Sequence, residues 1–241
     1  TPVYRSINPD YYPEENSEYN YTDLTPGDDG TDNPYGIDVD AFLHWAYSQL
    51  GYTEKASNAD LNSKGTDTED YNNFTKYGEQ YGKNGYEWCA MFASWCALKA
   101  EIPEDEIYQT SSTNAFRKWY EKQGRFQAKG SGYTPNAGDI ILYQWYTDAG
   151  REKGDYIMDQ DGTYKYVGKE NGNYKLGGHT GIVIGYENGY VYTIEGNYDN
   201  ARGVCFRRVP IGYSTISGFC VNGGSSSGYI PTDDELDGKF L

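Results

Sequence analysis

Two spacings of apolar residues divide the chain. Up to about residue 124 they recur every three or four positions, which gathers side chains onto one face of a helix. In "IDVDAFLHWAYSQLGYTE" Val39, Phe42, Leu43, Ala46 and Leu50 share such a face, with Asp38 or Asp40 as N-cap and Gly51 as stop. The same spacing predicts helices near Tyr71 to Tyr77, from Trp88 to Lys99 and from Thr113 to Gln123, before Gly124. Beyond that the period changes. "DIILYQW", "HTGIVIGYE", "YVYTIEG", "GVCFRRV" and "SGFCVNG" are β-branched and aromatic runs between Gly, Asn and Pro turns, and read as strands. Helices first and strands after predict an α+β fold with an antiparallel sheet.

The flanks and one internal run break the pattern. Residues 1–36 are Tyr, Asp, Glu, Asn and Pro with almost no aliphatic side chains, too few to order a core, and read as a linker or arm. The folded body spans 37–224, and 225–241 open with a Gly/Ser hinge and form a tail. Within the body, the polar, Gly-rich run from about 147 to 178 is an insertion expected to make a hairpin of its own.

Charge sharpens this division. The formal net charge is −16, but ten acidic residues against Arg5 alone lie in 1–40, so the body is nearly balanced and the ends are acidic. A nucleic-acid backbone is excluded as a partner on that ground. No apolar run reaches the roughly 18 residues that a membrane span needs. Four cysteines are too few for a disulfide scaffold at this length.

The cysteines carry the candidate chemistry. In "GYEWCAMFASWCALKA" Cys89 and Cys96 are two helical turns apart and face the same side. Cys96, in mid-helix, reads as a buried thiol acting as a small apolar residue. Cys89 falls in the first turn, where unpaired amide N–H groups and the positive end of the helix dipole favour a thiolate. A base must then come from His44 or His179. His44 sits inside the first helix between Leu43 and Trp45 and reads as structural; His179 opens a strand after Gly177-Gly178.

The hairpin after His179 decides what accompanies it. A three-residue loop, Glu187-Asn188-Gly189, pairs Ile182 with Ile194, Ile184 with Tyr192 and Tyr186 with Tyr190. It leaves His179, Glu195 and Asn197 on the opposite face. A two-residue Asn-Gly loop would pair Ile182 with Glu195 and bury less, so the first register is expected. A Cys, His, carboxylate and amide together suit nucleophilic acyl transfer.

With these residues in view, "YGKNGYEWCAMFASWCA", "PNAGDIILY", "GHTGIVIGY" and "VYTIEGN", in this order, resemble the cysteine, histidine-dependent amidohydrolase/peptidase (CHAP) domain of the papain-like clan, over roughly residues 38 to 223. The resemblance implies a papain-like α+β fold and cleavage of amide bonds in bacterial peptidoglycan. It puts the nucleophile on Cys89, the base on His179, the acidic residue on Glu195 and the amide on Asn197, and gives Asp139 a structural place before the first strand. A secreted or wall-associated monomer is expected, and the start at Thr1 suggests a mature or trimmed form. No metal or other cofactor is expected: "NADLNSKGTDTED" has oxygens but no ion-loop pattern. Aromatic faces suit sugar rings and stem peptides, so Tyr86, Trp88 and Trp145 are candidates for the groove rim. Cys205 and Cys220 either face each other as a disulfide, if their strands pair, or stay as buried thiols. The competing reading is a wall-binding module that keeps the fold without turnover.

Overall fold

The computed structural model describes residues 34–64, 72–146, 152–153, 156–158, 164–166, 169–170, 173–198 and 203–224, and of 145–177 the backbone alone. The expected arm, but for residues 34–36, and the C-terminal tail therefore lie outside the described residues. Four helices lead: α1 (Val39–Ser48), α2 (Lys76–Gln80), α3 (Cys89–Lys99) and α4 (Thr113–Lys122). Asp38, not Asp40, caps α1, its carboxylate accepting from Ala41 N–H at 2.9 Å. The second helix starts later than the spacing predicts. Phe74 is held extended by bridging to Lys55, and the Thr75 hydroxyl then accepts from Gly78 N–H at 2.8 Å as the cap.

The strands follow: β1 (Phe126–Ala128), β2 (Ile140–Tyr146), β3 (Glu152–Lys153), β4 (Tyr156–Met158), β5 (Tyr164–Tyr166), β6 (Lys169–Glu170), β7 (Asn173–Glu187), β8 (Tyr190–Gly196), β9 (Val204–Pro210) and β10 (Ile216–Cys220). The main antiparallel sheet runs β1-β10-β2-β7-β8-β9, with β6 pairing the start of β7. Short β1 is not visible in the sequence pattern. In the insertion the backbone forms a three-stranded antiparallel sheet, β3-β4-β5, one strand more than the expected hairpin. Among the described residues no helix is long and apolar enough to cross a membrane.

This topology decides between the two readings of Cys205 and Cys220 and corrects the expected hairpin register. After β9 the chain crosses to the far side of β2 and inserts β10 between β1 and β2, so the strands carrying Cys205 and Cys220 do not pair. Both cysteines are free, buried thiols. The β7–β8 hairpin turns through two residues, Asn188 and Gly189, both with positive φ, and Glu187 pairs with Tyr190. A bulge between Val183 and Gly185 then shifts the pairing by one residue, so Ile182 still meets Ile194. Tyr192 lies opposite Gly185 rather than Ile184, and Tyr186 opposite Val191 rather than Tyr190. The expected register therefore holds only at the end that bears His179.

The helices bury their apolar stripes on one side of the sheet. Phe42, Ala46 and Tyr47 of α1, Phe92 and Cys96 of α3, and Phe116 and Tyr120 of α4 join Ile140, Ile182, Ile194 and Phe206 in one core. A smaller cluster, with Ile141, Tyr143, Val183, Val191 and Phe219, forms separately from the alternate strand positions. His44 is half-buried in α1 with its ring edge-on to Trp45.

Asp139 ties the chain together just before β2. Fully buried, its Oδ2 accepts from Asn136 N–H at 2.9 Å and from the Tyr133 hydroxyl at 2.7 Å, while Oδ1 accepts from Asn222 N–H at 2.9 Å. It thus pins the end of β10 to the start of β2. Asp139→Ala leaves these donors without an acceptor, and urea unfolding is expected to show a loss on the order of 3 kcal/mol.

Candidate active site

Strand alternation sets the frame. Tyr143 pairs with His179 across β2 and β7, Ile182 pairs with Ile194 across β7 and β8, and Glu195 and Thr193 pair with Cys205 and Arg207 across β8 and β9. Directly opposed residues share a face, so Tyr143, His179, Glu195, Thr193, Cys205 and Arg207 line one face. The adjacent positions point the other way: a Cβ on Gly178 would meet Thr113 of α4, and one on Gly196 would lie 2.6 Å from Trp88 and 2.9 Å from Phe92. Gly196 is thus small because the start of α3 rests on it.

Glu195 is the centre of this face, with no exposed surface. Its Oε2 lies 2.8 Å from His179 Nε2 and accepts from Arg207 Nη1 at 3.3 Å. Its Oε1 accepts from the Tyr143 hydroxyl at 2.7 Å and from the Thr193 hydroxyl at 2.8 Å. The Glu195 side chain reaches His179 by lying over Gly181, where a Cβ would stand 2.6 Å from Glu195 Cγ. The glycine of "HTG" is therefore required by the contact of its neighbour.

Cys89 opens α3 and hydrogen-bonds the same imidazole. With Nε2 engaged by Glu195, Nδ1 is the nitrogen left for the thiol. Cys89 and His179 are 6% and 3% exposed, so the contact is screened little by water. The start of α3 also differs from those of the other helices. Asp38, Thr75 and Ser112 cap α1, α2 and α4 with side-chain oxygens, whereas Trp88 makes no such bond. The first N–H groups beside Cys89 thus receive no capping side chain from the N-cap residue.

Burial alone would strip the proton from His179. The hydrogen bond to Cys89, then the hydrogen bond and charge of Glu195, outweigh it and lift the imidazole to about 10. Burial alone would likewise protonate Glu195. The charge and hydrogen bond of His179, followed by Arg207 and Tyr143, hold its carboxyl down to about 2.

The other predicted residues fall differently. Asn197 lies past the end of β8 with φ +58°, and among the described residues its side chain makes no hydrogen bond; its backbone N–H donates to Gly203 O at 3.1 Å. Tyr86 is 67% exposed, three residues before Cys89. Trp88 is a correction: it is fully buried, donates Nε1–H to Glu54 Oε2 at 3.0 Å and stacks on Tyr77 at 5.3 Å, so it belongs to the core and not to a groove rim. Trp145 lies on β2, and its side chain is outside the described residues. Among the described residues no group of three or more His, Cys, Asp or Glu gathers as for a metal ion. The sequence reading missed Tyr143, Thr193 and Arg207. Arg207 could have been found only by pairing β9 with β8, which brings it opposite Thr193.

These linkages have a sign. Glu195, depressed from 4.5, stabilises the fold above 4.5 and loses that contribution as pH falls toward 2. His179, raised from 6.5, stabilises it below 6.5 and loses that contribution as pH rises toward 10. The pair contributes fully only between 4.5 and 6.5. Cys89→Ala removes the largest influence lifting His179. In histidine NMR titrations the His179 midpoint is expected lower in the variant than in the wild type. Gly181→Ala should push Glu195 off the imidazole, lowering the same midpoint while the fold, read by circular dichroism, persists.

Residues 80–197, from the end of α2 through β8, match the CHAP domain family, and the match includes Cys89, His179 and Glu195. Comparison with curated proteins and with solved structures gives no match. It is this segment, 80–197, that is similar to the CHAP domain family.

Proposed function

We propose that the protein is a cysteine-dependent peptidoglycan hydrolase with a papain-like arrangement, cleaving an amide bond by attack of Cys89. The observation that carries this reading is the unbroken series of hydrogen bonds from Cys89 through His179 to Glu195. In the first half-reaction the Cys89 sulfur adds to the substrate carbonyl carbon. The resulting oxyanion is met by N–H groups at the uncapped start of α3. His179 passes its proton to the leaving amine as the C–N bond breaks, leaving a thioester on Cys89. In the second half-reaction His179 takes a proton from water, the hydroxide adds to the thioester, and the C–S bond breaks to give a carboxylic acid and free Cys89.

Glu195 holds the imidazole by Nε2 and balances its charge through both steps, staying ionised throughout. Asn197, just past the end of β8, is the amide proposed to orient or polarise groups beside the site. The bond cleaved is the N-acetylmuramoyl-L-alanine amide or one within a stem peptide or cross-bridge. Exposed Tyr86, on the segment leading to Cys89, offers a flat face for a sugar ring or a peptide. Such a substrate requires a secreted or wall-associated protein. The alternative of a wall-binding module without turnover is disfavoured, because binding alone has no use for a thiol hydrogen-bonded to a buried His–Glu pair.

The test is mass spectrometry of fragments released from purified peptidoglycan by the wild type and by Cys89→Ala. Release by the wild type alone is expected. Free stem peptides identify an amidase, and shortened stems or split cross-links an endopeptidase. Equal release by both, or none from walls of several chemotypes, would overturn the reading. The alkaline fall of the rate should track the loss of the His179 proton, and so lie well above 6.5.

A further inference from the structure

Glu195 serves two cations through one oxygen. Oε2 engages His179 Nε2 at 2.8 Å and Arg207 Nη1 at 3.3 Å. Arg207 is only 5% exposed, and its guanidinium lies 4.8 Å from the ring centre of Tyr143 and 4.4 Å from that of Tyr198. The same two rings flank the imidazole, with centroids 5.7 Å and 6.0 Å from that of His179. Tyr213 adds a third ring at 5.5 Å from the guanidinium. Nothing in the acyl-transfer steps uses Arg207. Burying a guanidinium is costly, and an apolar side chain of similar size would often serve stability as well. The arrangement calls for another reason.

We propose that Arg207 is a positioning residue, clamped between Tyr143 and Tyr198, whose permanent charge keeps Glu195 ionised and shares its Oε2 with His179 Nε2, tempering the hold of the carboxylate on the imidazolium. The proposal rests on the reading of His179 as the acid–base of the site.

The groups that face the His179–Glu195 pair come from several elements. They are Cys89 from α3, Tyr143 from β2, Thr193 from β8, Tyr198 just beyond β8, and Cys205 and Arg207 from β9. Burial and the charge of Glu195 push the Cys205 thiol up to about 12, so it stays neutral. Burial and the same charge raise Tyr143, which also stays neutral, as does Tyr198, raised first by burial. Arg207 is thus the one charge facing the pair, among the described residues, that does not titrate in the working range. The guanidinium draws part of the Oε2 charge away from the imidazolium. Without it the carboxylate bears wholly on His179, which then holds its proton more tightly while Glu195 itself protonates more easily.

The experiment compares Arg207→Met, Arg207→Gln and Arg207→Lys with the wild type, following the His179 ring by NMR against pH. Arg207→Met is expected to move the His179 midpoint up by about one unit, the size of effect a charge at this separation imposes. Arg207→Lys, which keeps the charge, is expected to stay near the wild type. Arg207→Gln, polar and neutral, should behave as the Met variant and carries the test if the latter does not fold. A wild-type midpoint in either neutral variant overturns the proposal, as does an equal displacement in the Lys variant. Because the readout is a titration, it does not depend on turnover. An Arg207-dependent midpoint in a protein that releases no wall fragments would refute the hydrolase reading and leave the electrostatic role of Arg207 standing. On peptidoglycan, Arg207→Met should lower kcat with KM little changed, because the buried guanidinium lies behind Glu195.

Discussion

The carboxylate of Glu195 is the constraint on which the site depends. A wholly buried negative charge is tolerated only when its lone pairs are filled and opposite charge stands nearby. Here four strands each supply one partner: Tyr143 from β2, His179 from β7, Thr193 from β8 and Arg207 from β9. The contiguous order β2-β7-β8-β9 is what brings those donors to one point. The imidazole is oriented as a result, and Cys89 hydrogen-bonds the same ring. A change that shifts any of these strands by one residue would turn its donor to the opposite face, which couples the integrity of the sheet to the state of one carboxylate.

Much of this was legible because it is local. The helices α3 and α4 lie within a residue of the ends their apolar spacing gives, α1 stops two residues before the expected end at Leu50, and Asp38 caps as its side chain allows. His179 and Glu195 belong to one hairpin, so counting back from a tight turn suffices to put them on one face. Even there the route was different: the Asn-Gly turn is the two-residue type, and the bulge at Ile184 restores the pairing that buries Ile182 against Ile194. The burial of that apolar pair overrides the turn.

What was not legible is long-range. Nothing in "SGFCVNG" says that it crosses the sheet to sit between β1 and β2, so the neighbourhood of Cys205 and Cys220 could not be read from their strands. Arg207 and Arg208 are equivalent in sequence, and only the pairing with β8 turns the first inward and leaves the second exposed. Trp88 shows the same limit. Its amphipathic ring fits a groove or a core equally well, and the choice is made by Glu54, thirty-four residues away, which accepts its N–H.

That choice bears on the chemistry. A residue at a helix N-cap usually folds a hydroxyl or carboxylate over the first turn and fills its N–H groups. Trp88 turns instead into the core, stacks on Tyr77 and seats on Gly196, the residue that follows Glu195. The ring therefore fixes the height of the helix start against the strand that bears the carboxylate. By the same placement its side chain offers the amides beside Cys89 no capping hydrogen bond. One buried indole thus sets both where the thiol meets the imidazole and what remains free to meet an oxyanion.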